Sequence, residues 1–383
     1  MAIVTTDMVI KLIKAGKNVQ QIAKKYKITR QAVYYHLDKL AKKEKQETEK
    51  YPEKPKKDYN SMINWKIYND GLVKRGEIVF EYNVFKKWDK ELKLMNRNKV
   101  GARYQYPDSF IRFLAKIKCI FQTDYRTLQG IEKQLVALIP HAKACADYTT
   151  IQKRLGKLEV NLEIFAKDKK QIIAMDSTGL KTSNRGEYRM NKYRGVRKKY
   201  IKLHIAANIK NRQVVSSIVT DELVKDNKKM DDLIDEAESS GKVTGAKLDR
   251  GYDSKENYWS LKQRGIKGAL KPRRTMELSK LLQEIEKIQI RIKKKELKNK
   301  DPSQLRKQLL RMEELKEYLE DSDQWKKKKD YGQRWKAEGR YSVFKRLFGE
   351  SVFSKSMKEI KNEVMLKVNM MNEFTAILLK ANK

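Results

Sequence analysis

Histidine and cysteine are scarce in this sequence, at three and two residues among 383. Such scarcity excludes a disulfide-stapled scaffold and a Cys/His zinc finger. Cys119 and Cys145 stand in mixed apolar stretches and read as buried thiols. Long apolar runs are missing too. No stretch of 18 apolar residues occurs and no N-terminal segment looks like a signal peptide, so a cytoplasmic, nucleoid-associated protein without membrane spans is expected. Acid is the other shortage: 49 Asp and Glu face 88 Lys and Arg, a formal charge of +39. That excess far outruns what solubility requires and calls for a polyanionic partner. Nucleic acid is the simplest such partner. An anionic membrane surface is the rival, with no apolar segment to support it.

The length suits two or three domains. Residues 1–46 carry 11 basic and 3 acidic side chains. Val9, Leu12 and Ile13 give a first helix an apolar face that Gly16 ends. VQQIAKKY reads as a second short helix, and Thr29 is placed to cap a third, RQAVYYHLDKL. Two short helices, a tight turn and a third helix form the helix-turn-helix pattern. Arg30, Gln31, Tyr34 and Tyr35 are its exposed positions, able to reach base edges or phosphates of double-stranded DNA. A basic three-helix bundle that binds protein is the plainer alternative. Residues 47–60 hold two prolines amid dense charge and read as a linker. Residues 61–164 carry apolar residues at helical spacing, a region suited to DNA binding or dimerisation.

At residue 171 the periodicity changes. QIIAMDSTG reads as a strand ending in Asp176. KKYIKLHIAANIK alternates like a strand with one wet face, and RQVVSSIVTDE reads as its hairpin partner. A helix, a strand ending in Asp249, a further helix and an edge strand stopped by Pro272 complete a mixed α/β domain over 165–275 and 331–383. Between these parts, residues 276–330 are strongly helical with dense alternating charge. Leu278, Leu281, Leu282, Ile285, Ile288 and Ile292 form a stripe, and Asp301–Pro302 breaks it, which predicts a helical hairpin inserted into the sheet domain.

Asp176 and Asp249 sit at expected strand ends, where open α/β sheets present ligand sites. The first strand of a mixed sheet tends to lie centrally, so the two acids become neighbours although 73 residues apart. Glu338 would join them from a helix crossing that sheet end. Three converging carboxylates repel one another unless a divalent cation sits between them. Hard oxygen donors favour Mg²⁺ or Mn²⁺. Such ions activate a water or hydroxyl and steady a phosphodiester during in-line attack. Tyr331, Arg334, Glu338 and Lys345 are spaced by 3, 4 and 7 residues. At about 100° per residue they share one helical stripe, a face able to track phosphate. Taken alone, the same stripe is also a solvated helix with an Arg334–Glu338 ion pair. Residues 181–202 hold nine basic side chains and one acid. Arg185, Arg189, Arg194 and Arg197 are candidate backbone grips there, while Tyr188 and Tyr193 could stack on bases. His204 lies in a strand with no triad partner in view and reads as a structural or DNA-side residue.

Three motifs occur in order: Asp176-Ser177-Thr178, Asp249-Arg250-Gly251-Tyr252-Asp253-Ser254, and Tyr331, Arg334, Glu338 and Lys345 in the pattern Y-x2-R-x3-E-x6-K. In these the chain resembles the insertion-sequence DDE transposases of bacteria and archaea, whose catalytic domain is ribonuclease-H-like. The resemblance covers residues 165–375, and the helical stretch 60–160 is also similar. It implies that Asp176, Asp249 and Glu338 are catalytic acids holding two divalent cations. It further implies that Tyr331, Arg334 and Lys345 handle DNA at the cleaved end. The implied partners are transposon ends with terminal inverted repeats and target DNA, with a homodimer holding two ends together. The implied reactions are phosphodiester hydrolysis and transfer of the 3′-hydroxyl ends. A nuclease of the same fold without strand transfer, or a DNA-binding regulator without catalysis, is the alternative. The helical, charged insertion is a departure, because some relatives carry a β-rich domain there.

Overall fold

The computed structural model describes residues 9, 19–26, 28–36, 64–138, 145–182 and 200–381. The chain divides into two compact units, residues 1–63 and 64–383.

In the first unit, helix α1 spans Val19–Tyr26, and residues 30–36 are again helical. Thr29 caps the second of these: its Oγ1 accepts from the Ala32 amide at 3.2 Å, and its carbonyl from Val33 at 3.3 Å. Ile22, Ala23 and Val33 pack with Val9 into a small core. Leu12, Ile13 and Gly16, the expected end of the first helix, lie outside the described residues.

Among the described residues the second unit opens with six helices: α2 (Trp65–Val79), α3 (Asn83–Lys86), α4 (Trp88–Met95), α5 (Asp108–Phe121), α6 (Tyr125–Leu138) and α7 (Tyr148–Lys157). Helix α5 is the most buried, with Phe110, Ile111, Leu114 and Ile117 at or below 1% exposure. This region shares one apolar core with the sheet that follows, because Leu114 and Ile151 belong to the same cluster as Leu203, Phe344 and Val364. Cys119 is buried and Cys145 half-buried, both as free thiols.

Five strands follow among the described residues: β1 (Lys170–Lys181), β2 (Tyr200–Asn208), β3 (Val214–Asp221), β4 (Lys242–Leu248) and β5 (Lys267–Leu270), in the order β3-β2-β1-β4-β5. β1 is antiparallel to β2 and parallel to β4; β3 and β5 are the edges. Helix α8 (Met230–Glu238) lies between β3 and β4, and α9 (Lys255–Gln263) between β4 and β5. The expected wet face of β2 does not exist over most of its length, where both faces are buried. Ala206 belongs to the α8-side core with Met230, Leu233 and Ile234, while Leu203 and Ile205 turn to the opposite core. Alternation read from sequence fails there because layers cover both faces of the sheet.

The insertion is a helical hairpin of α10 (Leu278–Leu297) and α11 (Ser303–Glu320), followed by α12 (Ser322–Lys328). Leu281, Ile285, Ile288 and Ile292 pack against Met312 and Leu315, as the stripe predicts. Leu282, read into that stripe, is 43% exposed. The C-terminal part is helical but interrupted. A 3₁₀ turn at Tyr331–Arg334 precedes α13 (Trp335–Phe348), Gly349 ends that helix at a φ of 73°, and α14 (Met357–Ala381) completes the fold. No described helix is long and apolar enough to cross a membrane.

Candidate active site

Asp176 does not end its strand. β1 continues five residues beyond it, paired with β2 from Ile173–Asn208 to Lys181–Tyr200. The pairing with β4 stops earlier, at Ala174–Lys247. Asp176 therefore stands where β4 leaves β1 and that flank opens, while Asp249 is the first residue beyond the end of β4. The crevice the acids need is made by unequal strand lengths, which local pattern does not encode.

Around Asp249, four residues of the D-R-G-Y-D-S stretch, Asp249, Gly251, Asp253 and Ser254, have a visible job. The Asp249 Oδ1 accepts from the Gly251 amide at 2.8 Å and caps the turn Arg250–Tyr252. A Cβ on Gly251 would stand 2.9 Å from both Asp249 Oδ1 and Asp226 Oδ2, so the close approach of two carboxylates requires glycine. Tyr252 is fully buried. Asp253 receives the Arg311 guanidinium in a bidentate pair, at 2.8 and 2.7 Å, and anchors the insertion. Ser254 caps α9 by accepting from the Asn257 amide at 3.1 Å.

Glu338 comes from the first turn of α13. That helix is held over the sheet by Tyr341, whose hydroxyl lies 2.5 Å from the Asp176 carbonyl and 2.9 Å from that of Leu203. The chain just after α13 adds a second tie. Lys181 donates its amide to the Glu350 carbonyl at 2.8 Å, and Val352 donates to the Lys181 carbonyl at 2.9 Å. Helix and strand are therefore tied at two points, at Asp176 itself and at Lys181 near the end of β1.

Arg334 bridges the site. Its guanidinium is 3.7 Å from Asp176 Oδ2 and pairs tightly with Glu338 Oε1. The Arg334–Glu338 pair expected of a solvated helix is thus present, but it is joined to Asp176 across the sheet. Burial pushes the Asp176 carboxyl up to about 6. The Ser177 amide and Arg334 pull it down, and Asp249 and Glu338 push it further up, so both of these acids lie within electrostatic reach of Asp176. Burial works against the charge on Arg334, yet Tyr331, Glu338, Asp176 and Asp249 hold its pKa above the ordinary value. Tyr331 packs 5.4 Å from Trp325, ring to ring, with the Lys271 and Arg334 cations 5.8 and 5.9 Å from its centre. Burial pushes its hydroxyl up to about 12.

Lys345 stands apart, pairing with Glu350 at 3.4 Å. The single stripe expected for Tyr331, Arg334, Glu338 and Lys345 is broken because the first two lie on a 3₁₀ turn. Arg185, Arg189, Arg194 and Arg197 lie outside the described residues, as do Tyr188 and Tyr193. In the first unit, Arg30, Gln31, Tyr34 and Tyr35 are all exposed.

Asp226, which belongs to none of the three motifs, brings a fourth carboxylate to this end of the sheet. Its Oδ1 is 3.1 Å from Lys202 Nζ and 3.6 Å from His204 Nδ1, and its Oδ2 borders Gly251 beside Asp249. It raises the pKa of the Tyr252 hydroxyl, after burial and ahead of Asp176 and Asp249. Nothing in VKDNKK marks it, because its position depends on a turn between a strand and a helix. His204 is fully buried on the Thr220 hydroxyl, 2.9 Å from its Nε2, and burial lowers its pKa to about 4. It is a neutral, structural side chain.

The donors, being carboxylates, suit a hard divalent cation. Among the described residues no three His, Cys, Asp or Glu side chains are gathered closely enough to hold a metal ion between them. Arg334 supplies the balancing charge between two of the acids.

A five-stranded mixed sheet with acids gathered where β1 and β4 part defines an α/β catalytic domain of the ribonuclease-H-like type. A family model described as a transposase DDE domain matches residues 167–372, and a second of the same description matches residues 73–185. The first spans more than half of the chain, which therefore belongs to the DDE transposase family, whose work is DNA transposition and recombination.

Proposed function

We propose that the protein cuts phosphodiester bonds at the ends of its element and joins the freed 3′-hydroxyls to target DNA, with Asp176, Asp249 and Glu338 as the catalytic acids. The observation that supports this reading is that acids from a strand, a turn and a helix all act on one guanidinium, Arg334, which lies against Asp176 and Glu338. Two Mg²⁺ or Mn²⁺ ions held by these carboxylates would supply an activated nucleophile and stabilise charge on the phosphoryl oxygens. In the cut, a water oxygen attacks phosphorus, the P–O3′ bond breaks, and the 3′-oxygen leaves as a hydroxyl. In joining, that hydroxyl oxygen attacks a target phosphorus and displaces the target's own 3′-oxygen. Both are in-line displacements at phosphorus and can share one site. Arg334 and Lys345 are suited to grip backbone phosphates, Arg334 in a bidentate way. Tyr331 presents a ring at the same edge for a base or sugar.

Recognition of the terminal repeats falls to Arg30, Gln31, Tyr34 and Tyr35, which the Thr29-capped helix exposes together. Arg185, Arg189, Arg194 and Arg197, in the basic stretch between β1 and β2, would grip the DNA backbone. Two ends held at once call for a homodimer.

With purified protein and duplexes carrying the element's ends, Asp176→Asn is expected to lower Mg²⁺-dependent cleavage more than about 100-fold, beyond the usual cost of losing an outer-sphere partner. End binding should stay within a few-fold of the parent. Cleavage at the parent rate in the variant would remove the assigned site. Cleavage by the parent without any joined product would leave a nuclease.

A further inference from the structure

A half-open cavity of about 790 Å³ lies within the second unit, bordered by α2, the chain just before β1, the β2–β3 turn, α13 and α14. Its wall carries Arg75, Lys167, Lys210, Arg212, Arg340 and Arg346, with Asp168 the one acid. That carboxylate is already engaged, accepting from Asn208 and Asn211 at 3.0 Å each and lying 3.7 Å from Lys210. Among the described residues, none of the four arginines is in an ion pair.

Arg340 is the centre of the cluster. It is 8% exposed and borders the cavity, its Nη1 donating to the Thr375 hydroxyl at 3.0 Å and reaching the Arg212 carbonyl at 3.4 Å. Its Nε is buried with no hydrogen-bond partner, and so is that of Arg75. Burial and the nearby Arg212 press the Arg340 pKa down to about 10, and burial, with some contribution from Arg346, lowers that of Arg75. A buried guanidinium without a counter-charge is unfavourable, and like charges gathered around it add to the cost. An anion with several oxygens relieves both, and guanidinium forks match phosphate geometry.

We infer that this cavity is a second anion site, taking a backbone phosphate of bound DNA on the face of α13 turned away from the acids. Glu338 and Arg340 are two positions apart, about 200° around the helix, so one helix serves both sites. The mouth, with Arg212 and Arg346 exposed, is open enough to admit a phosphate that belongs to a longer chain. The inference rests on DNA being the partner, as proposed above.

The test uses the full-length protein and a fluorescent 40-base-pair duplex, with Ca²⁺ in place of Mg²⁺, over a salt series. Arg212→Gln combined with Arg346→Gln changes only exposed side chains. The plot of log affinity against log salt should become shallower by about one unit, the loss of one neutralised phosphate. Lys307→Gln combined with Lys316→Gln, an equal charge change on α11, should leave the slope as in the parent. Arg340→Lys keeps the charge but not the fork; it should weaken binding with the slope retained. A parent that binds the duplex, with the same slope in the arginine variant, overturns the inference while the functional reading stands. A parent that binds no duplex removes both. Inorganic phosphate is the second probe. If it raises the melting temperature of the parent and not of the arginine variant, with the slope unchanged, the cavity takes a free anion and the DNA assignment is wrong.

Discussion

At the scale of single residues, Asp176 shows how the site stores repulsion. Its carboxyl is pushed from 3.8 to about 6, first by burial and then by Asp249 and Glu338 against the pull of Ser177 and Arg334. The folded protein thus holds this proton more tightly than the unfolded chain does. The stability that protonation confers is complete below about pH 4 and is lost as pH rises through about 6. Above that range the charge costs roughly 2 kcal/mol, because each tenfold change in proton affinity is worth about 1.4 kcal/mol and water still reaches the group. Without divalent metal at pH 7.5, Asp176→Asn should therefore melt a few degrees higher than the parent, and at pH 3.5 the two should coincide. Matching melting curves at both pH values would show that the carboxylates do not strain the fold. The motif residues are legible as a pattern, but only the Ser254 cap is local chemistry; the partners that give Gly251 and Asp253 their roles, Asp226 and Arg311, lie far away in the chain. Asp226 and Arg340 are not legible, since an acid in a turn and an arginine on a helix look ordinary until their surroundings are known.

At the scale of elements, the insertion is tied to the catalytic core through one buried ion pair. Asp253 has no exposed side-chain surface and also accepts from the Arg273 amide at 2.9 Å. Removing its partner strands a charge, which costs about 3 kcal/mol or more. Arg311→Ala should lower the urea midpoint and open the α10–α11 hairpin to protease, while Asp253→Asn combined with Arg311→Met should recover much of the loss. Unaltered proteolysis of the single variant would mean that packing alone seats the hairpin. Helical periodicity makes this element readable in advance, down to the Leu281–Ile292 stripe. The same reasoning fails at Tyr331–Arg334, where a 3₁₀ turn replaces the expected α-helix, because four residues carry too short a pattern to separate the two. It fails again for Asp176, since the strand extends past the acid and only the neighbouring strand stops.

At the scale of the whole molecule, two units divide the labour proposed for them. Residues 1–63 hold their own small core around Ile22 and Val33, and the sheet with its helices forms the other unit. Deleting residues 1–63 should abolish preference for terminal-repeat DNA over random duplex in a competition assay, yet leave Mg²⁺-dependent nicking of an excess of non-specific DNA within about tenfold. Full retention of end preference would move recognition into residues 64–383. The order of amino acids is enough to set the partner's charge, the elements with a strong period, the succession of the three acids and the residues that cap and turn around them, because those depend on composition and neighbours a few positions away. Folding in three dimensions was needed to establish that β1 outruns β4 at Asp176, that Arg334 spans two acids, that Asp226 lies beside Asp249, and that arginines from α2, the β2–β3 turn and α13 surround one cavity. These are meetings of segments far apart in the chain, fixed by how the layers pack, and a linear pattern carries no measure of such distances.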